Sequence, residues 1–346
     1  MDSLTQVALG SALGYAVLGN KVSRKAVLWG AILGTLPDLD VFLPYGGSVE
    51  AFTYHRGFSH SFFVHLLISP LIVWLILKMH TGMQAYKTRW FWLVFLCLST
   101  HALLDALTVY GTQLMWPLTE HPFAISNMFI IDPLYTLPLL VGVIGTLIPK
   151  ITAPTAYKIN AITLTVSTLY LCCSLILKVV IDDKVNTALQ NRDITVNEYI
   201  STPAPFTTLL WRVVVMSDGK YYEGYASVFD TPNEVTLNAY QTTPSLLNEV
   251  KNEWGVKRLQ WFTKGFYSVR EQQDKVILSD LRMGMECAYV FNFVVGQKDG
   301  SAISVGNFEK ISQRPNLNNL PKIWDRIWHP DTVLASPLAK NNCVEQ

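Results

Sequence analysis

The side chains best able to hold a metal fall in short motifs at the ends of apolar runs. They are Asp38 and Asp40 in Pro-Asp-Leu-Asp, His55 and His60 in His-Arg-Gly-Phe-Ser-His, His101 and Asp105 in His-Ala-Leu-Leu-Asp, and Asp132 in Ile-Asp-Pro. Carboxylates and imidazoles are unfavourable beside hydrocarbon, so such a cluster points to function. A mixed His/Asp set suits zinc, with manganese or iron as alternatives, whereas an all-oxygen set suits magnesium or calcium. Carboxylates that bridge ions allow two or three metals, which acidify a bound water and clamp both oxygens of a displacement at phosphorus.

Each motif also has a plainer reading. The four-residue spacing of His101 and Asp105 puts both on one face of a helix, where they can share an ion or simply hydrogen-bond to each other. Pro-Asp at 37–38 is an ordinary turn, and an Asp before Pro133 is an ordinary helix cap. His55 and His60 flank Gly57 just before a long apolar run, with Ser59 or Ser61 placed to cap it; alternatively they belong to a solvated loop. Arg56 and the helix start favour an anion such as phosphate. His65 reads as a buried helix residue and His121 as a weak loop candidate. Thr108, Tyr110, Gly111 and Thr112 are placed to line a pocket. The chain has no serine nucleophile elbow and no His-Glu-x-x-His, which disfavours acyl transfer and ordinary zinc proteolysis.

These motifs need elements to position them. Of the 346 residues, 50% are hydrophobic and only 15% charged, with mean hydropathy +0.25, too apolar for an ordinary soluble protein. The net charge of +1 gives no basic patch of the kind phosphate backbones require, so no nucleic-acid partner is expected. Met-Asp-Ser-Leu-Thr-Gln lacks the basic start of a secretory signal, so the first apolar stretch is expected to persist. Apolar segments run Leu4–Leu18, Ala26–Leu36, Phe62–Leu77, Trp90–Val109, Leu134–Ile148 and Ala161–Val180. Several approach the roughly 20 residues that cross a bilayer. The first two are short and rich in Gly and Ala, which allows close helix packing or a re-entrant hairpin. Cys97, Cys172 and Cys173 lie in apolar runs as small hydrophobes; Cys287 and Cys343 lie in the polar part, where a disulfide is one option.

Loop charges set the expected topology. Lys21, Arg24 and Lys25, then Lys78, Lys87 and Arg89, then Lys150 and Lys158 mark alternate loops, while Pro37–Ser61 and Tyr110–Pro133 carry only Arg56 among the basic residues. Basic loops favour the cytoplasm. Six crossings with an outside N-terminus satisfy that rule and bring the candidate ligands, with Asp2, to the outer face. An ion or proton path is a weaker reading, because the candidates gather at one face instead of stepping through the membrane.

From residue 183 the chain turns polar and strand-like. Leu209–Met216, Tyr221–Phe229, Arg258–Arg270, Lys275–Leu281 and Ala288–Val295 read as strands, with Ser-Asp-Gly-Lys at 217–220 as a hairpin turn. Ser245–Trp254 reads as a helix, Ser279-Asp280-Leu281-Arg282 as an ion pair or strand end, and the chain after about 312 as an irregular tail. The expected fold is mainly α, a polytopic membrane helix bundle over 1–182 followed by an extracytoplasmic α+β domain with an antiparallel sheet over 183–346.

Met-Asp-Ser-Leu-Thr, Pro-Asp-Leu-Asp, His-Arg-Gly-Phe-Ser-His-Ser, His-Ala-Leu-Leu-Asp-Ala-Leu-Thr-Val-Tyr-Gly-Thr and Ile-Asp-Pro-Leu-Tyr-Thr together resemble the bacterial membrane-bound metal-dependent hydrolase family. Some of its members are described as LexA-binding inner-membrane proteins. The resemblance covers about residues 1–180 and extends distantly to zinc-dependent phospholipase C, whose His-x-x-x-Asp helix matches His101 and Asp105. It implies Asp2, Asp38, Asp40, His55, His60, His101, Asp105 and Asp132 as metal ligands. Gln6 departs from the His found in many members, which puts one subsite in doubt. The resulting expectation is an inner-membrane phosphoesterase acting on a lipid or lipid-linked phosphate through metal-activated water. Asp38, Asp40, Arg56 and Asp105 would be at the chemistry, with Arg56 on the phosphate. The alternative is a non-enzymatic membrane binding or regulatory protein with a structural or sensing metal site.

Overall fold

Small residues decide how the first two helices meet. In the computed structural model, which describes all residues except 23, 193, 286–287, 312–319 and 335–346, α1 (Ser3–Val22) and α2 (Arg24–Thr35) form an antiparallel hairpin. A Cβ on Gly10 would collide with the Gly30 carbonyl oxygen, and one on Gly14 with that of Ala26. Only glycine lets the two backbones approach this closely. At 12 residues, α2 is about 18 Å long, short of a bilayer core. A 3₁₀ turn, Pro37–Phe42, extends it with Leu39, Val41 and Phe42 exposed.

The chain divides into two units, Met1–Pro44 with Tyr54–Leu175, and Tyr45–Thr53 with Ile176–Gln346. A short helix, α3 (Ser48–Tyr54), runs across the boundary between them. In the first unit, α4 (Phe62–Met79), α5 (Lys87–Ala106) and α6 (Pro133–Leu147) pack with the α1–α2 hairpin, and α7 (Ala153–Gln190) leads into the second unit. Ser61 caps α4, accepting from the amides of Phe63 and Val64. One core gathers Leu18, Leu33, Val73, Ile76, Trp90, Leu93 and Cys97. Another joins Ala8, Leu9, Ala12, Leu104, Tyr135 and Leu139.

Among the described residues two helices, α4 and α7, are long and apolar enough to cross a membrane; Ser3–Gly19 and Pro133–Leu147 are shorter apolar helices. The expected span at Trp90–Val109 forms α5, but Ser99, Thr100, His101 and Asp105 interrupt its apolar character. Cys97 is buried as expected, whereas Cys172 and Cys173 are exposed on α7. Cys287 and Cys343 lie outside the described residues.

In the second unit, β1 (Glu198–Pro203), β2 (Leu210–Ser217), β3 (Lys220–Ser227) and β4 (Thr236–Gln241) form one antiparallel sheet in sequence order. The turn at 217–220 is present, with Ser217 opposite Lys220 and Gly219 at φ +67°. After α8 (Trp254–Phe262), a second sheet follows from β5 (Tyr267–Gln272), β6 (Lys275–Asp280), β7 (Asn292–Asp299) and β8 (Ala302–Val305). The short β9 (Lys310–Ile311) also pairs with β7. The C-terminal end of α7 places Ile181, Val185, Ala188 and Leu189 on Trp211, Val213 and Val215 of β2. Phe52 packs edge-on against Phe262 at 4.8 Å.

Three expectations for this unit change. Among the described residues there are two sheets in place of one small sheet. The helix expected at Ser245–Trp254 is a 3₁₀ turn, Pro244–Leu247, and α8 occupies residues read as the start of a strand. Val256, Leu259 and Phe262 are buried at three-residue spacing, a helical period masked by the aromatic content. The tail contains α9 (Leu320–Trp328), which buries Ile323, Arg326 and Ile327. Asp280 and Arg282 do form the expected ion pair, at 2.7 Å.

The glycine seam gives a direct test. Gly30→Val should destabilise the protein by roughly 1–3 kcal/mol through overpacking, read as a lower thermal midpoint in detergent. An unchanged midpoint contradicts the close approach.

Candidate metal centre

Three elements deliver four ligand atoms to one point. Asp38 comes from the 3₁₀ turn after α2, His60 from a 3₁₀ turn, Phe58–His60, before α4, and His101 and Asp105 from successive turns of α5. One donor atom from each lies within 4.8 Å of all the others. His60 Nε2 is 3.2 Å from His101 Nε2 and 3.3 Å from Asp105 Oδ2. Asp38 Oδ1 is 3.3 Å from His101 Nε2 and 3.7 Å from His60 Nε2, and His101 Nε2 is 3.6 Å from Asp105 Oδ2. Ligands about 2.0–2.1 Å from a tetrahedral zinc stand about 3.3–3.4 Å apart. Five of the six separations, 3.2–3.7 Å, are therefore close to the edges of a single tetrahedral site, and the sixth, between Asp38 and Asp105, is within 4.8 Å.

The hydrogen bonds around this set fix which atoms face inward. His101 Nδ1 lies 2.6 Å from the Gly34 carbonyl. A carbonyl only accepts, so Nδ1 carries the proton and Nε2 presents a lone pair. Ser59 donates its hydroxyl proton to Asp40 Oδ2 at 2.6 Å. It must then accept from His60 Nδ1, 2.9 Å away, which turns the lone pair of neutral His60 inward too. Two bare imidazole nitrogens facing each other beside two carboxylates form a coherent donor set for a divalent cation.

A ring of further groups holds these ligands. Asp40 Oδ1 is 2.7 Å from His55 Nδ1, and its Oδ2 also accepts from the Arg56 amide at 3.0 Å. Asp40 thus organises the His55–His60 loop and lies outside the four-atom set, as does His55. Arg56 is held at φ +62°, a left-handed conformation unfavourable for a residue other than glycine. Gly57 follows because a Cβ there would meet the Tyr54 carbonyl at 2.7 Å. His65 donates from Nε2 to the Ser59 carbonyl at 2.8 Å.

Arg56, expected to meet a phosphate, is buried with Nε 3.1 Å from Asp105 Oδ2. Its Nη1 donates to Thr108 at 3.3 Å and its guanidinium lies 5.1 Å from the centre of the Tyr110 ring. Thr108 and Tyr110 therefore line the site through Arg56. Gly111 and Thr112 shape the adjoining loop, where Thr112 pairs with Phe123; His121 is exposed there beside Phe123.

Asp2 and Asp132 also lie outside the set, and both serve as helix caps. Asp2 accepts from the Thr5 amide at 3.0 Å. Asp132 accepts from the amides of Leu134 and Tyr135 and from the Tyr170 hydroxyl at 2.8 Å. Gln6, by contrast, reaches the cluster: its Nε2 lies 3.2 Å from Asp105 Oδ1, while its buried Oε1 has no hydrogen-bond partner among the described residues. The Met1 amine also lies against Asp105. Ser59 and the Gly34 carbonyl escaped the sequence reading. A hydroxyl next to a candidate ligand histidine was a visible clue, whereas a backbone carbonyl leaves none.

Burial alone would raise the Asp38 carboxyl, but hydrogen bonds with His101 and His60 outweigh it and hold it well below the usual range. Burial likewise raises Asp40, and the hydrogen bond and charge of His55 lower it overall. Burial opposes a charge on His60, yet Asp105 and Asp38 raise its proton affinity above the ordinary value. The centre favours positive charge, whether a proton or a metal.

Residues 1–181 match the model of the family described as YdjM inner membrane protein. A Bacillus subtilis (strain 168) protein described as uncharacterized protein YfhP is 30% identical over 140 residues, covering 38% of this chain. The chain spans only 42% of that relative's length. No solved structure matches.

The raised proton affinity of His60 has a signed consequence. In metal-free protein its stabilising contribution is complete below the unfolded pKa of about 6.5 and lost as pH rises through the higher folded value. Thermal midpoints of metal-free protein should fall across that interval, and His60→Gln should flatten the fall. Zinc affinity, measured by competition with a chelator, should rise with pH over the same interval, because the ion displaces that proton. Ser59→Ala should lower the affinity about 10–100-fold; an unchanged value contradicts the inferred tautomer.

Proposed function

As the chain belongs to the YdjM inner membrane protein family, and is thus a bacterial inner-membrane protein, we propose that it acts there as a metal-dependent hydrolase. The substrate class we assign is a phosphoester, either a lipid phosphate or a lipid-linked phosphate. The observation that carries this reading is the set of half-buried Asp38 with buried His60, His101 and Asp105, with both Nε2 lone pairs turned toward the carboxylates. Its dimensions fit one ion, fewer than the two or three expected from carboxylate count. Zinc is the first choice for two imidazoles and two carboxylates at this spacing, with manganese and iron next.

The same set supports a division of roles. When bound, the cation supplies Lewis acidity and an acidified water. His101 and Asp105 hold it from the rigid α5 helix, and His60 does so from the loop that Asp40 and Ser59 organise. Asp38, whose side chain is 25% exposed, is the ligand nearest solvent and marks the side from which a phosphoester approaches. Arg56 balances Asp105, which keeps that carboxylate ionised for the cation. The cation-rich loops at the opposite helix ends support a multi-pass topology with the centre and the C-terminal sheets outside the cytoplasm.

A second reading has its own support. A closed four-ligand site is typical of structural zinc, whereas catalytic sites keep a position open. His60, His101 and Asp105 are each 0% exposed, which favours a structural or sensing site in a membrane regulatory protein.

One experiment separates the two. The full chain purified in mild detergent should contain about one metal per chain, lost in His101→Ala and Asp105→Asn. Phosphate release from phosphatidic acid or polyprenyl phosphate should disappear with the metal. Bound metal without turnover supports the regulatory reading, and native protein without metal defeats both. A reporter fused after residue 346 should be active outside the cytoplasm; a cytoplasmic signal refutes the topology.

A further inference from the structure

The helix ends opposite the His/Asp centre have a different chemistry. Lys21, Arg24, Lys25, Lys78, Lys87 and Arg89 lie there, and residues 3–37 and 51–104 contain no Asp or Glu at all. These cations belong to a chain of net charge only +1, so positive charge is segregated to this end.

A cavity of about 370 Å³ opens among these cations, lined by Lys21, Lys25, Met79, His80, Thr81 and Trp90 among others, and none of its lining residues is acidic. Its back is built from aromatic rings. His80 stacks on Trp90 with centroids 6.2 Å apart and planes within 7°, and Trp29 meets the same Trp90 edge-on at 6.4 Å. The indole Nε1 of Trp29 donates to His80 Nε2 at 2.8 Å. An indole nitrogen only donates, so His80 Nε2 is the acceptor and Nδ1 bears the hydrogen of the neutral ring. His80 is thereby fixed as an Nδ1–H donor at a cavity that also offers two ammonium groups and the Thr81 hydroxyl.

We propose that this cavity is a binding site for the phosphate headgroup of an acidic phospholipid. Basic pockets between membrane helices take such headgroups because the ammonium groups and the phosphate neutralise each other at the bilayer surface. The surroundings select a lipid over a dissolved anion. Met79, on the cavity wall, is 69% exposed, and Trp74 and Leu75 on the same helix are about half exposed, a surface suited to acyl chains. The site is independent of the reaction at the other end of the helices.

Native mass spectrometry of the full chain, titrated with phosphatidylglycerol or phosphatidylcholine in detergent, provides the test. One phosphatidylglycerol should be retained with about fivefold preference per lysine, roughly 30-fold for the pair. Lys21→Ala with Lys25→Ala should reduce retention to the phosphatidylcholine level. These side chains are exposed, so the fold tolerates the change, and Lys87→Ala outside this cavity should leave the preference intact. Equal retention of the two lipids by the wild-type chain overturns the proposal, as does an unchanged double variant. Displacement of the lipid by equimolar inorganic phosphate also overturns it, by showing a site for a free anion.

Discussion

Two imidazole nitrogens 3.2 Å apart, each with its lone pair turned inward, are the constraint around which the helical unit is arranged. Lone pairs at that distance repel unless a cation lies between or beside them, and the carboxylates of Asp38 and Asp105 add to the negative field. The fold maintains this arrangement through outer hydrogen bonds. The Gly34 carbonyl fixes His101, and Ser59, held by Asp40, fixes His60. The position of the Gly34 carbonyl depends in turn on the seam where Gly10 and Gly30 bring two backbones together. A packing feature of the α1–α2 hairpin thus sets the tautomer of a histidine on α5.

The loop carrying His55–His60 shows the same dependence in another form. Asp40 accepts from His55, from the Arg56 amide and from Ser59, so one carboxylate determines the path of the segment. Arg56 takes a left-handed backbone conformation to stay on that path. Its guanidinium, together with the Met1 amine, then neutralises the buried charge of Asp105. Backbone strain and ion pairing together make the site tolerable in an apolar bundle before any metal binds.

Periodicity and residue type made much of this legible. Five of the six apolar segments appear as helices within a few residues of their expected ends, and the sixth, expected at Ala161–Val180, is the core of the longer α7 (Ala153–Gln190). His101 and Asp105 share a helix face as their spacing requires. The motifs did not reveal which carboxylates point inward. Asp2, Asp40 and Asp132 look like Asp38 in sequence, but each is taken up by nearby amides or hydroxyls, a choice made by local turn geometry. In the C-terminal unit, aromatic content suggested strand where Val256, Leu259 and Phe262 form a helix face. Composition reports burial there, while the period of burial reports the element.

The balance between a closed and an open centre comes down to Asp38. Three of the four donors, His60, His101 and Asp105, are fully buried, and the two imidazoles are also held at Nδ1 by Ser59 and the Gly34 carbonyl. Asp38 is different: it sits on a six-residue 3₁₀ turn whose exposed apolar residues face outward, and its carboxylate keeps contact with solvent. A carboxylate already in contact with solvent can give way to water or substrate with less loss of buried contact than the other three donors. A centre that is structural on three sides and adjustable on the fourth has the asymmetry that hydrolytic chemistry needs, because the position nearest solvent is the one that can yield to substrate. That asymmetry, more than the identity of the donors, is the physical reason for preferring the catalytic reading over the sealed one.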